Sequence, residues 1–217
     1  MPDFIFIWDQ RLRGGAGGYR HPVTGRIVPN HTARTALDDY VDNAQDTPTA
    51  LFNLFRNQQI SVADLQLQMR DHIKDVHLNA AITAVGGRDQ MTQADWGRVG
   101  QLIKGQYGYL DNFAEELAGG LAVTAAVLTR MKMYTEAAVG THERFMTRRF
   151  ANAGYDLERS VLDARAKHCT GGGSCIEQAA MGWQSIGDMI PIGARVCLTR
   201  DRCLHEFRNS LTGEIVR

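Results

Sequence analysis

All four cysteines fall in the last quarter of the chain, at Cys169, Cys175, Cys197 and Cys203. They form two C-x5-C pairs separated by 21 residues. Two chelating pairs joined by a folded segment are what a tetrahedral structural zinc site needs, because zinc takes four thiolate or imidazole ligands. The gap inside each pair is longer than the usual two to four or so residues. His168 and His205 stand beside the first and last cysteines and are the natural substitutes if one sulfur points away. In a reducing compartment, clustered cysteines point to metal before disulfides. One or two disulfides formed after release from the cell, or four reduced and unligated thiols, are the alternatives.

A metal also answers a folding problem. From Lys167 onward there are few large apolar residues, with Ile176, Met181, Trp183, Ile186, Met189, Ile190, Ile192 and Phe207 among them. A loop-rich module of roughly 50 residues at that density is marginal without a staple. Four thiolates on one zinc would close the loop 169–203 and contribute folding energy directly.

Other chemistry is weakly signalled. The sequence has no G-x-S-x-G, no G-x-x-x-x-G-K-[ST] and no H-E-x-x-H, the motifs that place a nucleophile, a phosphate cradle or a catalytic zinc. Gly171-Gly172-Gly173 is not followed by a helix with Lys and reads as a turn. His72 and His77 are five apart on one helical pattern, so they are expected on different faces, as surface or satisfied core histidines. No pair of carboxylates stands out for acid–base work, and the chain is not read as an enzyme. Formal net charge is zero, so the chain as a whole makes no case for nucleic-acid binding. Arg144, Arg148 and Arg149 read as a solvated helix face.

The elements that must position these residues follow from periodicity. Residues 1–30 read as an arm. Phe4-Ile5-Phe6-Ile7-Trp8 is a short β-like run, Gly14-Gly15-Ala16-Gly17-Gly18 a flexible spacer, and Pro22-Val23-Thr24-Gly25 the turn of a hairpin. Met1 to Trp8 is too short, and lacks the basic lead, to be a signal peptide. The arm has too little apolar content for its own core and is expected to gain order from a neighbouring chain. Residues 31–153 read as helical. Two helices span about 32–44 and 48–57. A third opens at Ser61 with Asp64 three residues on, carries Val62, Leu65, Met69, Ile73, Val76 and Ala80 at steps of three and four, and stops at Gly86-Gly87. A fourth opens at Thr92 with Asp95 and buries Trp96, Val99, Ile103, Leu110, Phe113 and Leu117. A fifth runs through Val123, Val127, Met131, Tyr134, Ala138 and Phe145 and stops before Gly154. Long helices with short glycine-containing links follow bundle logic. The stretch Leu117 to Leu128 is far shorter than the ~20 apolar residues a membrane span needs. Residues 154–217 form the Cys-rich module, with Tyr155–Leu162 as a strand or a continuing helix, an amphipathic piece at Ile176–Trp183, and strand-like fragments at Ala194–Leu198 and Leu204–Arg208. The fold class is therefore α+β: mainly a helical bundle, with a small Cys-rich C-terminal module of short strands.

The C-terminal run of Glu158, Cys169, Cys175-Ile-Glu-Gln-Ala-Ala-Met-Gly-Trp183, Ile186-Gly187, Pro191-Ile-Gly193, Cys197, Cys203 and Phe207-Arg208 resembles the tail of phage head-morphogenesis proteins, the phage Mu F-like minor head family. The preceding helix resembles that family through Arg130, Tyr134, Glu136-Ala137-Ala138 and Glu143. Helices three and four look like the helical part of compact members, so the likeness covers roughly residues 60 to 210. It departs from the family in its C-x5-C pairs, where many members have a closer pair and a final His-Pro-x-Cys-Arg-Cys string. That departure leaves the exact metal ligands open. The resemblance implies a structural virion protein: a minor head, neck or internal component that docks to the phage portal or major capsid protein within a multi-subunit particle. It also implies occasional contact with packaged DNA, no membrane, and residence in the virion after assembly in the host cytoplasm. The alternative is a zinc-stabilised nucleic-acid-binding protein of the head or packaging apparatus, with a basic stripe of Arg144, Arg148, Arg149, Arg159 and Arg165.

Overall fold

The computed structural model describes residues 7–9, 18–21, 23–28, 30–164, 169–198 and 203–216. Phe4–Phe6 of the β-like run, most of the glycine spacer, Pro22, Arg165 and His168 lie outside them. The fold is α+β, as the patterning predicts.

Helices α1 (Asn30–Ala44) and α2 (Asp46–Arg56) lead into α3 (Val62–Val85), α4 (Gln93–Ala118) and α5 (Ala125–Asn152). The two start signals read from sequence are both realised as capping boxes. Ser61 accepts from the Asp64 N–H while the Asp64 carboxylate accepts from the Ser61 N–H, and Thr92 and Asp95 do the same. Each box satisfies two orphan helix donors. At the far end of α3, Gly86 turns left-handed with φ 89°, and the Gly87 N–H reaches back to the Ile82 carbonyl at 2.9 Å. A side chain with a Cβ is disfavoured at that φ, which is why glycine ends this helix.

Helix α3 lies at the centre of the bundle, packed on α4 and α5 with α1 and α2 alongside. Leu65, Met69, Ile73, Leu110, Phe113, Val127 and Met131 close one apolar cluster, and Ala81, Val99, Ile103, Phe145 and Phe150 belong to another. The histidines of α3 are core residues. His72 Nε2 bonds Thr135 Oγ1 at 2.8 Å, and His77 Nδ1 bonds Thr141 Oγ1 at 2.7 Å. Five residues turn a helix by about 140°, yet both side chains reach α5. The reason is that α3 is buried over much of its circumference, not along a single stripe.

The N-terminal strands β1 (Ile7–Asp9), β2 (Gly18–Arg20) and β3 (Ile27–Val28) form a small antiparallel sheet. The hairpin turns at Gly25, whose N–H donates to the His21 carbonyl at 2.9 Å and whose φ is +65°. Tyr19 is 1% exposed and sits, with Val28, in the chain's own core. Its hydroxyl donates to the Thr83 and Ala84 carbonyls, and Arg149 donates to the Ala84 and Val85 carbonyls. Those carbonyls lie in the last turn of α3, where Ala84 and Val85 have no helical donor and a cation also suits the helix dipole. Tyr19 and Val28 thus anchor this part of the N-terminal segment on the chain's own bundle. Arg149 serves that anchor and not a solvated face.

The C-terminal module is a second antiparallel sheet in the order β5-β4-β6-β7, from β4 (Leu157–Val161), β5 (Gln184–Ser185), β6 (Leu204–Arg208) and β7 (Ile215–Val216), with α6 (Cys175–Ala180) alongside. Within Tyr155–Leu162, Leu157–Val161 is strand, and Leu204–Arg208 is a strand as expected. Ala194–Leu198 is not a strand but a pair of turns. The Ala194 N–H bonds the Pro191 carbonyl, the Leu198 N–H bonds the Arg195 carbonyl, and Leu198 is left-handed at φ 51°. Phe207 stacks on Phe150 of α5 with centroids 4.6 Å apart, and Tyr155 meets the same ring edge-on.

Two outcomes test this core. Leu65→Asp or Ile103→Asp places an unpartnered charge in the bundle and should cost more than about 4 kcal/mol, seen as loss of helical circular dichroism and of a cooperative melt. Unchanged spectra and melting would refute the packing. The second concerns pH. Burial pushes His72 and His77 down to about 4, whereas an unfolded histidine takes its proton near 6.5. Both are neutral in the fold at pH 7, so stability is complete above pH 6.5 and falls as pH drops from 6.5 toward 4, where only the unfolded chain gains protons. The loss is roughly 3 kcal/mol per histidine at the bottom of that window. Thermal melts between pH 8 and pH 4 should show it, and His72→Gln with His77→Gln should flatten it.

Candidate metal centre

Glycines shape the approach to the thiols. The chain turns through Gly171 and Gly173, both left-handed, and the Ser174 N–H closes that turn on the Gly171 carbonyl. Ser174 then caps α6 by accepting from the Glu177 N–H. Cys175 is the first helical residue, and its N–H donates to Cys169 Sγ at 3.1 Å. From the other side, the turns of 194–198 deliver Cys197. Its Sγ lies 3.1 Å from Cys175 Sγ and 2.6 Å from Cys169 Sγ. The three sulfurs all lie within 4.8 Å of one another, with Cys175 buried and the other two half-buried.

Burial raises the Cys169 thiol, but the Cys175 N–H and the neighbouring sulfurs outweigh it, so its net shift is downward. A lowered thiol pKa favours the thiolate, which is the form that binds metal and attacks disulfides. Thiolates 2.3 Å from one tetrahedral zinc stand about 3.8 Å apart, and disulfide sulfurs about 2.05 Å. The two separations from Cys197 Sγ, 3.1 Å and 2.6 Å, lie between these values. A metal would spread the sulfurs slightly, and oxidation would draw Cys169 and Cys197 together.

Of the four predicted ligands, the structure therefore gathers Cys169, Cys175 and Cys197. Cys203 is buried just before β6 and is not among the three clustered sulfurs. His205, the proposed substitute, is engaged elsewhere. Its Nε2 meets the Arg195 guanidinium at 2.6 Å, and its Nδ1 faces the Glu158 carboxylate at 3.5 Å. Arginine has only donors, so Nε2 is the acceptor, and in the neutral ring the proton sits on Nδ1, toward Glu158. The described residues thus supply three of the four positions of a tetrahedral site.

Beside the thiols lies a buried polar network that sequence reading missed. Arg195 is 1% exposed and donates to the Ile190 carbonyl, to Ser160 Oγ and to His205. Glu158 accepts from the Gly187 and Met189 N–H groups at 3.0 Å each, and Gln178 Oε1 accepts from the Ile190 N–H at 2.9 Å. These bonds fasten the 187–195 loops to β4, β6 and α6, so a polar staple works alongside any metal. Burial raises the Glu158 carboxyl despite those donors. Across a cavity of about 110 Å³, Glu143 of α5 behaves oppositely. Burial alone would raise it, but Arg34 of α1 and the His142 bond hold it at about 2. No local signal marks Arg195, a lone arginine among Gly and Pro, and the Arg34–Glu143 pair joins residues 109 apart in sequence.

The arginine stripe does not form as a single surface among the described residues. Arg149 is turned inward onto α3, and Arg159 pairs with Glu206 at 2.6 Å and lies over the Trp183 ring. Arg144 is exposed. No helix among the described residues is long and apolar enough to cross a membrane. No family model, curated protein or solved structure matches the chain.

Three close cysteines can hold a metal ion. Elemental analysis of protein purified under reducing conditions should find about one metal per chain. Cys169→Ser, Cys175→Ser and Cys197→Ser should each lose it, while Cys203→Ser should keep most of it. Retention in Cys175→Ser, or loss only in Cys203→Ser, would overturn the assignment to the trio.

Proposed function

We propose that the protein is a structural component of a phage head, a minor head, neck or internal protein that docks to the portal or major capsid protein. The observation that supports it most is where the residues carrying the resemblance sit. Glu158, Gly187, Gly193, Phe207 and the clustered cysteines each make a contact that shapes the C-terminal module or seats it on α5. These residues thus share one place in the fold, the C-terminal module and its seat on α5, which supports the reading. In this reading the metal is zinc, its role is structural, and the chain performs no catalysis. The buried Glu143 and Glu158 support packing, since each is matched by guanidinium or backbone donors. Nucleic-acid binding as the main role draws less support, because Arg149 and Arg159 are spent on internal contacts.

The experiment is to purify procapsids and mature particles from the phage or prophage that encodes the chain and quantify it by mass spectrometry. A few copies per particle, cross-linked to portal or capsid subunits, is the expected result. Absence from both kinds of particle would sink the reading.

A further inference from the structure

A groove of about 440 Å³ runs along the seam where α4 and α5 meet the C-terminal module. Its size falls in the range of ligand-binding clefts, which are mostly apolar with a few converging polar groups. Leu102, Met133 and Ile192 line it, and Tyr109 and Leu198 stand at its edge, 65% and 50% exposed. Leu198 is held there in a left-handed conformation, at φ 51°, that a residue with a Cβ rarely adopts. Such strain persists where the surrounding structure enforces it and is concentrated at functional sites. In the wall, His77 is 1% exposed and its Nδ1 is bonded to Thr141.

Charge selects the occupant. Among the described residues the lining contains no Asp or Glu, and it holds two arginines. Arg130 is neutralised by both carboxylate oxygens of Glu116. Arg144 is exposed and forms no ion pair among the described residues, though it also borders the small cavity lined by Glu143 and Glu158. An apolar cleft with one guanidinium free of a direct ion pair at its side favours an apolar group next to a carboxylate, the charge-assisted pairing that arginine makes best. The cleft is open along the surface and continues into the exposed Leu198, which suits an extended chain better than an enclosed small molecule.

We propose that this groove is a docking site for a short apolar–acidic peptide segment of a partner protein, which inserts an apolar side chain against Leu102, Met133 and Ile192 and sets a carboxylate on Arg144. The proposal stands independently of the phage-head reading, and its test needs no particle. The probes are acetyl-Glu-Leu-Leu-Glu-amide and its basic counterpart acetyl-Lys-Leu-Leu-Lys-amide, titrated into full-length protein carrying 13C-labelled methionine, leucine and isoleucine methyls. The acidic peptide should shift the Met133, Leu102, Ile192 and Leu198 methyls with an affinity near ~1 mM, weakening as salt is added. The basic peptide should not. Arg144→Ala should weaken the acidic peptide by about three- to tenfold, and Arg144→Glu should reverse the preference. Because Arg144 is exposed, both variants should keep the wild-type methyl spectrum in the absence of peptide. Equal shifts from both peptides, or none at about 5 mM, would overturn the proposal. Equal shifts by sodium hexanoate would also overturn it, by assigning the groove to a small carboxylic acid.

Discussion

The backbone of Ile192 and Gly193 lies directly against Gly140 in the middle of α5. A Cβ built at Gly140 would sit 2.9 Å from the Ile192 carbonyl oxygen, and one at Gly193 would sit 3.3 Å from the Gly140 Cα. Neither neighbour is the end of a flexible side chain, so neither can yield cheaply. Glycine at both positions lets a loop without regular structure lie on a helix at backbone distance. Gly193 is also left-handed, at φ +85°, which turns the chain away again after the contact.

Much of the C-terminal module depends on that approach. Once Pro191–Gly193 is seated, the following turn carries Arg195 into the interior and Cys197 toward Cys169 and Cys175. Arg195 is tolerated there because its donors are met by a carbonyl, a hydroxyl and an imidazole. An unpaired guanidinium in the same place would be strongly destabilising. The loop is thereby tied at three points: glycine contact on α5, polar bonds to β4 and β6, and sulfur contacts to the start of α6. The seam it leaves beside α4 and α5 is the groove lined by Ile192 and Leu198.

Helix α5 carries both halves of the molecule. Toward α3 it offers Thr135 and Thr141 to two neutral histidines. Toward the module it offers Gly140, Glu143 and Phe150. The Glu143 carboxylate is ionised deep in the protein because Arg34 arrives from α1, so the first helix, the fifth helix and the sheet meet at one charged centre. Buried pairs of this kind stabilise little relative to apolar residues but cost heavily when one partner is removed. They therefore specify an arrangement more than they add stability.

The sequence by itself determined the elements whose signals are local. Ser61 with Asp64 and Thr92 with Asp95 mark helix starts, Gly86-Gly87 marks an end, and steps of three and four from Leu65 to Ala80 mark a buried face. These follow from hydrogen bonds and spacings within a few residues. The clustering of Cys169 and Cys175 was legible for the same reason, since a glycine turn of five residues joins them. The tertiary structure decided the rest. It brought Cys197 but not Cys203 to that pair, drew His205 to Arg195 and Glu158, turned Arg149 onto the end of α3, and anchored Tyr19 in the bundle. Ala194–Leu198 has strand-like composition, yet the demands of Arg195 and the Gly140 contact bend it into turns. Each of these outcomes is a competition between partners distant in the chain. Burial and geometry settle such competitions only when the folded neighbours are in place.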